Sequence, residues 1–233
     1  MKLTKYGLRE WGGSGIIAVI VIILGAFVAM KWNYAAGITL AVLAAVIWLA
    51  LAAFFRVPHR IIPADPRLIL APADGVIRDI ELIAGNDLDF PAGHDMIRIG
   101  IFLSVLDVHL NRAPADMTVQ YKKYRAGRYL DARHSRASKE NEAMLLAGEA
   151  EIAGRRFPIG VRQISGAIAR RIVCPVEPEC RLERGAVYGM IKFGSRTELY
   201  LPAATECSVR VKIGDRVYAG TSVMAEYHPA PEQ

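Results

Sequence analysis

Met190-Ile191-Lys192-Phe193-Gly194-Ser195-Arg196-Thr197-Glu198-Leu199-Tyr200-Leu201-Pro202 is the stretch whose reading decides the fold. Apolar and polar residues alternate on both sides of Gly194-Ser195, which is the period of half-buried β-strands, so the dipeptide stands between two strands. Taken alone it reads as a hairpin turn, with Gly supplying an unusual backbone angle and Ser a local hydrogen bond. A chemical reading is also open. If the peptide is strained and near a base, the serine hydroxyl can attack the preceding carbonyl carbon, and Gly obstructs that approach least.

Working outward, the neighbouring segments are also β-prone. Leu70-Ala71-Pro72-Ala73-Asp74-Gly75-Val76-Ile77 reads as a strand, a turn at Asp-Gly and a second strand. Residues 96–103 are apolar and β-prone, and polar groups crowd the segment directly after them, Ser104 to Pro114, as they do at sites. Alternation returns at 119–124, and 157–173 reads as two strands with Gly166 at a bulge or helix start. Residues 142–152 fit helix or strand equally, and 131–141 read as an exposed connection. Cys180 to Met190 lines up with Asp215 to Ala225 at an offset of 35 residues, Gly185 matching Gly220. The second copy resembles the Gly-Asp turn of biotinyl/lipoyl-type barrel-sandwich domains. The soluble part is therefore read as mainly β and barrel-sandwich-like, with no long amphipathic helix.

The amino-terminal quarter differs. No charged residue occurs from Trp11 to Met30 or from Trp32 to Phe55, and Lys31 stands alone between the runs. Each exceeds the roughly 18 residues that mark a membrane-span candidate, so a two-helix transmembrane hairpin is expected, with spans at about 11–30 and 33–55. A signal peptide is disfavoured because a second, longer run follows at once. Lys2, Lys5 and Arg9 precede the hairpin and Arg56 and Arg60 follow it, which puts both flanks on the cytoplasmic side of the cell membrane. The domain reading is a membrane anchor at 1–56, a linker at 57–68 carrying Pro58 and Pro63, and a catalytic domain at 69–233.

The net charge of the 233-residue chain is +6. Setting aside Lys2, Lys5, Arg9, Lys31 and Glu10 leaves 25 basic against 22 acidic residues, without a Lys/Arg-rich block, so nucleic acid is not the expected partner. Cys174, Cys180 and Cys207 lack metal-ligand spacing and are read as small buried residues of a reducing compartment, and no metal is expected.

Attack by Ser195 on the Gly194 carbonyl would shift the acyl group to oxygen, and elimination from that ester would split the chain. The new amino terminus, dehydroalanine, hydrolyses to a pyruvoyl group with loss of ammonia. That ketone can take up the electrons released by loss of carbon dioxide from a substrate amine joined to it. Here the residues resemble the phosphatidylserine decarboxylase family, most closely its short bacterial and archaeal branch. Ala71-Pro72-Ala73-Asp74-Gly75 is similar to its acidic turn, Phe102-Leu103-Ser104-Val105-Leu106-Asp107-Val108-His109 to its histidine motif, and Ile191-Lys192-Phe193-Gly194-Ser195 to its cleavage site. The resemblance covers most of the soluble part and the two-span anchor.

It implies that Ser195 is the precursor of a covalent pyruvoyl cofactor, that cleavage gives a β chain of 1–194 and an α chain of 195–233, and that Asp74 and His109 hold acid/base positions. It also implies a carboxy-lyase acting on an anionic phospholipid at the membrane, phosphatidylserine first and archaetidylserine second; self-association of the chain is compatible with it. One departure stands out. Longer members have a second histidine three residues after the first, where this chain has Arg112. An arginine cannot serve as that base, so His109 serves both steps or another group such as His134 supplies one. Arg112, with Asn111, is then a candidate for binding substrate carboxylate or phosphate in forked geometry. The competing class is a non-enzymatic, membrane-anchored barrel-sandwich adaptor, or a carrier modified on Lys192.

Overall fold

The structure is a computed structural model that describes residues 2–134, 136–152, 154–167, 171–192, 194–203 and 207–228; Phe193 of the opening motif lies outside them. The chain divides into two compact units, Met1–Pro58 and His59–Gln233.

The first unit is a pair of apolar helices, α1 (Gly13–Lys31) and α2 (Tyr34–Phe54), each long and apolar enough to cross a membrane. Asn33 ends the short connection and caps α2, its Oδ1 accepting from the Ala36 N–H at 3.0 Å. Small residues let the helices touch: a Cβ on Gly25 would stand 2.8 Å from the Gly37 carbonyl oxygen. Trp48 Nε1 donates to the Trp11 carbonyl at 3.0 Å, tying the ends away from the turn.

Among the described residues the second unit is β apart from one short α-helix and a 3-10 turn at Gly85–Asp87. Its elements run β1 (Leu68–Leu70), β2 (Gly75–Ile83), β3 (Met96–Leu103), β4 (Leu110–Arg112), β5 (Met117–Arg125), α3 (Ala137–Glu140), β6 (Ala143–Ile152) and β7 (Arg155–Ser165). They continue with β8 (Ile172–Val173), β9 (Arg181–Leu182), β10 (Val187–Ile191), β11 (Ser195–Pro202), β12 (Cys207–Val209), β13 (Arg216–Val217) and β14 (Val223–Tyr227). An eight-stranded sheet has the order β13-β2-β3-β11-β7-β6-β5-β9, and two three-stranded sheets have the orders β1-β14-β12 and β4-β10-β8. The mainly β reading holds, and 142–152, which fitted helix or strand, is almost entirely β6.

The topology is a duplication wider than the 35-residue repeat. Ala71-Pro72-Ala73-Asp74 precedes β2 and Ala113-Pro114-Ala115-Asp116 precedes β5, each introducing a nine-residue strand. Asp74 Oδ1 accepts from the Ala219 N–H and Asp116 Oδ1 from the Arg184 N–H, each at 2.8 Å, and those donors are themselves 35 residues apart. The sheet order is symmetric under the same exchange, with β13, β2, β3 and β11 on one side matching β9, β5, β6 and β7 on the other. Gly185 and Gly220, the matched glycines of the repeat, both take positive φ.

The 131–141 segment is not simply an exposed connection, since it carries α3 and buries Ala132, Ala137, Ser138 and Asn141. Asp74-Gly75 is not a hairpin turn: β1 pairs with β14, whereas β2 pairs with β3 and β13, so the chain passes from one sheet into another at this dipeptide. Gly194-Ser195 is not one either, since β10 pairs with β4 and β8 while β11 pairs with β3 and β7. Local alternation reports strands but carries no information on which strands pair. Among the cysteines, Cys207 is buried and Cys174 packs on the same core, but Cys180 is exposed beside β9.

Strand β11 is buried along its whole length. Leu199 and Leu201 join Ile99, Ile101 and Leu103 of β3 in the main core. The opposite face carries Arg196, Glu198 and Tyr200. Glu198 is fully buried and receives Arg162 Nη2 at 2.7 Å, Arg196 Nε at 2.8 Å, Ser138 Oγ at 2.7 Å and the Tyr200 hydroxyl at 2.8 Å. Arg196 reaches both oxygens of Asp79 on β2 at 2.7 Å. Burial alone raises a carboxyl's pKa, but Arg162, Arg196 and Arg98 outweigh it and hold Glu198 at about 2.

Because the folded pKa of Glu198 lies below its ordinary 4.5, its contribution to stability is complete above that pH and lost as the pH falls toward 2. Glu198→Gln strands buried guanidinium groups and is expected to cost about 3–5 kcal/mol at neutral pH. Denaturant titrations at pH 7 and pH 3 should show that loss shrinking in acid; an equal loss at both would contradict the ion-pair account.

Candidate active site

Sheet register assembles the site. Across the eight-stranded sheet Ser195 lies opposite Leu103 on one side and Ser165 on the other, and Val76 lies opposite Phe102. The start of β2, the end of β3, the start of β11 and the end of β7 therefore share one end of the sheet. The residues just beyond those strand ends are Asp74, Ser104, Gly194 and Gly166. Four segments distant in sequence meet because four adjacent antiparallel strands stop in step.

At the centre, Gly194 has φ +64, a left-handed conformation that L side chains rarely adopt. Its N–H donates to His109 Nε2 at 3.1 Å. The other ring nitrogen, Nδ1, lies 2.9 Å from the Asp107 carbonyl oxygen, which can only accept. Together they fix a neutral imidazole with its proton on Nδ1 and its Nε2 lone pair taken up by the Gly194 N–H, one peptide unit before the Gly194-Ser195 bond. His109 is completely buried, and the turn that carries it is itself braced: Asp107 Oδ2 accepts from the Ser104 N–H at 2.8 Å, and Arg216 pairs with Asp107 Oδ1. Ser195 is also completely buried, and its Oγ has no hydrogen-bond partner among the described residues. A buried hydroxyl without a partner is costly, which marks the position as one where something other than stability is being served.

Asp74 takes a different set of partners. Its Oδ2 is 2.7 Å from Arg60 Nη2, and its Oδ1 accepts from Ala219 as described. Burial pushes its pKa up, the Ala219 amide and Arg60 pull it back, and nearby Asp107 adds to the rise. Arg112 lies in the same cluster, half-buried, with Nη1 donating to the Gly185 carbonyl at 2.7 Å; burial and Arg60 both lower its pKa. Two guanidinium groups and a carboxyl are thus packed together beside the Asp107 turn.

Asn111 is buried, its amide nitrogen donating to Thr197 Oγ1 at 3.0 Å and to the Pro72 carbonyl at 3.3 Å, its oxygen accepting from Gln163 Nε2 at 2.8 Å. These bonds tie β4 to β11 and β7 beneath the serine. His134 is exposed, its Nδ1 accepting from the Arg136 N–H at 3.1 Å. Lys192 is buried, not displayed on an exposed turn as a modified carrier lysine must be. Arg60 escaped the sequence reading of the site because it sits in a proline-bounded linker; its one signal was a lone cation there. Thr197 and Gln163 gave no signal, since each sits inside an ordinary strand pattern.

The chain matches the phosphatidylserine decarboxylase family over residues 49–225. It is 38% identical over 218 residues to the phosphatidylserine decarboxylase proenzyme of Geotalea daltonii, covering 94% of this chain and 93% of that one. The proenzyme of Geobacter metallireducens is 39% identical over 212 residues, 91% of this chain and 90% of that one. That of Carboxydothermus hydrogenoformans is 46% identical over 172 residues, 73% of this chain and 76% of that one. The chain belongs to the phosphatidylserine decarboxylase family. The family match contains Asp74, His109, Arg112, Gly194 and Ser195, and it begins within α2 of the apolar pair.

The backbone at Gly194 is open to a direct test. A Cβ there meets nothing nearer than Val105 at 4.0 Å, so Gly194→Ala adds left-handed strain without crowding. Combined with Ser195→Ala, it is expected to lower stability by about 1–2 kcal/mol in denaturant titrations. No measurable loss would mean that the left-handed conformation is not imposed on this peptide.

Proposed function

We propose that this chain is a membrane-anchored carboxy-lyase that converts phosphatidylserine to phosphatidylethanolamine at a pyruvoyl group made from its own Ser195. The observation that carries the reading is the pairing of a buried serine hydroxyl, without a hydrogen-bond partner among the described residues, with a left-handed Gly194 whose amide rests on His109 Nε2. In the first step Ser195 Oγ adds to the Gly194 carbonyl carbon, the Gly194–Ser195 C–N bond breaks, and the hydroxyl proton passes to the departing amine, with His109 as the group to carry it. Loss of the Ser195 Cα proton then expels the Gly194 carboxylate. Water replaces the resulting imine nitrogen as ammonia and leaves the pyruvoyl ketone.

The residues present fit such a group: Ser195 is buried, its Oγ has no competing partner among the described residues, and His109 lies one peptide unit away. Once formed, the ketone supplies an acceptor for the electron pair released with carbon dioxide. His109 is proposed to move protons in both phases, which removes the need for a second histidine at Arg112. Asp74, with its pKa raised by burial, is the proposed partner acid, and Arg60 and Arg112 beside it are the proposed seat of the headgroup phosphate or carboxylate. Asn111 is better suited to holding β4 against β11 than to touching substrate.

The proposed organisation is an anchor at 1–56, a linker at 57–68 and a catalytic domain at 69–233, cut into a β chain of 1–194 and an α chain of 195–233. Basic residues on both flanks of the apolar pair favour the cytoplasmic face of the cell membrane for the catalytic domain.

The test is carbon dioxide release from phosphatidylserine vesicles by the full chain. Ser195→Ala is expected to be inactive, His109→Ala about 10²–10⁴-fold slower, and Arg112→Lys raised in KM on the order of tenfold. A wild-type-like Ser195→Ala would overturn the reading, and an unchanged KM for Arg112→Lys would remove Arg112 from the substrate site.

A further inference from the structure

Gly166 stands where β7 ends, directly across from Gly194. A Cβ built on it would come well inside 3.0 Å of the Gly194 carbonyl oxygen and within 3.2 Å of the carbonyl carbon. Both are backbone atoms of the bond proposed to break, so neither can swing aside as a side-chain tip can. The same Cβ would be 3.4 Å from that of Ala132, on the 131–134 turn. Beside this contact is a cavity of about 150 Å³ whose lining includes Leu103, Val105, Ala132, Ala167 and Gly194. Among the described residues, the space beside the carbonyl is bounded by the missing side chain of Gly166, by the small Ala132 and Ala167, and by Val105 of the turn that carries His109.

We propose that Gly166 is a positioning residue for self-cleavage: by lacking a side chain it admits the Gly194 carbonyl oxygen, and it leaves room for that oxygen to move as the carbon becomes tetrahedral. The proposal rests on the self-cleavage reading above and adds its steric requirement. When Ser195 Oγ adds, the carbonyl carbon pyramidalises and its oxygen, now carrying the negative charge, swings out of the peptide plane. That displacement is a fraction of an ångström, and a Cβ at Gly166 already overlaps the starting position. With alanine there, the peptide must rotate or retreat, and a misplacement near 1 Å costs on the order of 10²-fold in rate. No co-reactant is needed, because the acyl shift is an isomerisation that converts an amide and a hydroxyl into an ester and an amine.

The role differs from that of a packing glycine elsewhere in the sheet. Gly160 lies on the same strand and faces the same β11, opposite Tyr200. A Cβ there is crowded by the far edge of the Phe90 ring, at 3.0–3.1 Å, which can give way, and makes ordinary contact with the Tyr200 Cβ at 3.5 Å. Gly160 is thus a control on the same strand with no approach to the peptide proposed to break.

The experiment follows chain splitting by intact mass in freshly made full-length protein, with wild type, Ser195→Ala, Gly160→Ala, Gly166→Ala and Ala132→Val side by side, each with a thermal unfolding curve. Wild type and Gly160→Ala are expected to split, and Ser195→Ala to stay whole. Gly166→Ala is expected to fold but split on the order of 10²-fold more slowly. Hydroxylamine, which cleaves esters, should release no fragments from it, because the block precedes the ester. Ala132→Val narrows the same space from a buried position on an otherwise exposed turn and is expected to slow splitting several-fold. A folded Gly166→Ala that splits at the wild-type rate, or that accumulates a hydroxylamine-sensitive ester, overturns the proposal. If Gly166→Ala does not fold, normal splitting of Ala132→Val overturns it. A wild type that never splits would instead refute the self-cleavage reading itself.

Discussion

Everything at this site depends on four antiparallel strands ending in step. Leu103, Ser195 and Ser165 form one row across β3, β11 and β7, and β2 begins beside them. A strand slipped by one residue would turn every side chain to the other face. In β11 that would put Arg196 and Glu198 into the apolar core and Leu199 among the arginines. The ion pairs from Glu198 to Arg162 and from Arg196 to Asp79 therefore do more than add stability. They favour the register that brings the Gly194 N–H to His109 and the Gly194 carbonyl to Gly166. Buried ion pairs are often a weak source of stability, and specifying a unique alignment is one use to which they are put.

The same frame explains how a chain proposed to cut itself stays in one piece. The segment after Ser195 supplies β11 at the centre of the large sheet, β13 at its edge, and β12 and β14 of a small sheet. Its hydrogen-bond ladders to β3 and β7, the main core and the Glu198 cluster all cross the point of cleavage without using the peptide bond. The left-handed Gly194 is then a feature of the precursor whose constraint is released when the bond goes. Duplication supplies the scaffold, and asymmetry supplies the chemistry. Asp74 and Asp116 hold equivalent backbone amides, but only the Asp74 side has the six-residue turn that carries His109.

Much of the fold was legible in the residues. The alternation around Gly194-Ser195 marked the strands, the two charge-free runs marked the helices, and the match of Gly185 to Gly220 marked half of the duplication. Pairing was not legible: both Asp-Gly at 74–75 and Gly-Ser at 194–195 look locally like hairpin turns, and both are passages between sheets. Of the candidate site, Ser195 and His109 could be picked from motifs because their chemistry is unusual for their positions. Gly166 and Arg60 could not, because what matters about them is a neighbour made by register, and a glycine at a strand end or an arginine in a linker has many commoner explanations. The missing second histidine at Arg112 was visible at once, but its consequence was not. The geometry of His109, bonded directly to the Gly194 amide, favours one histidine for both phases.

The central claim is that the Gly194–Ser195 bond becomes a chain break with a ketone on one side. Its most direct measurement is the intact mass, under denaturing conditions, of protein purified as the full chain. The account predicts two chains, 1–194 and 195–233, whose summed mass equals that of the precursor plus one water minus one ammonia, with the smaller chain lacking a free amino terminus. A single intact chain from an active preparation, or two chains summing to the precursor plus one whole water as ordinary proteolysis gives, would contradict it.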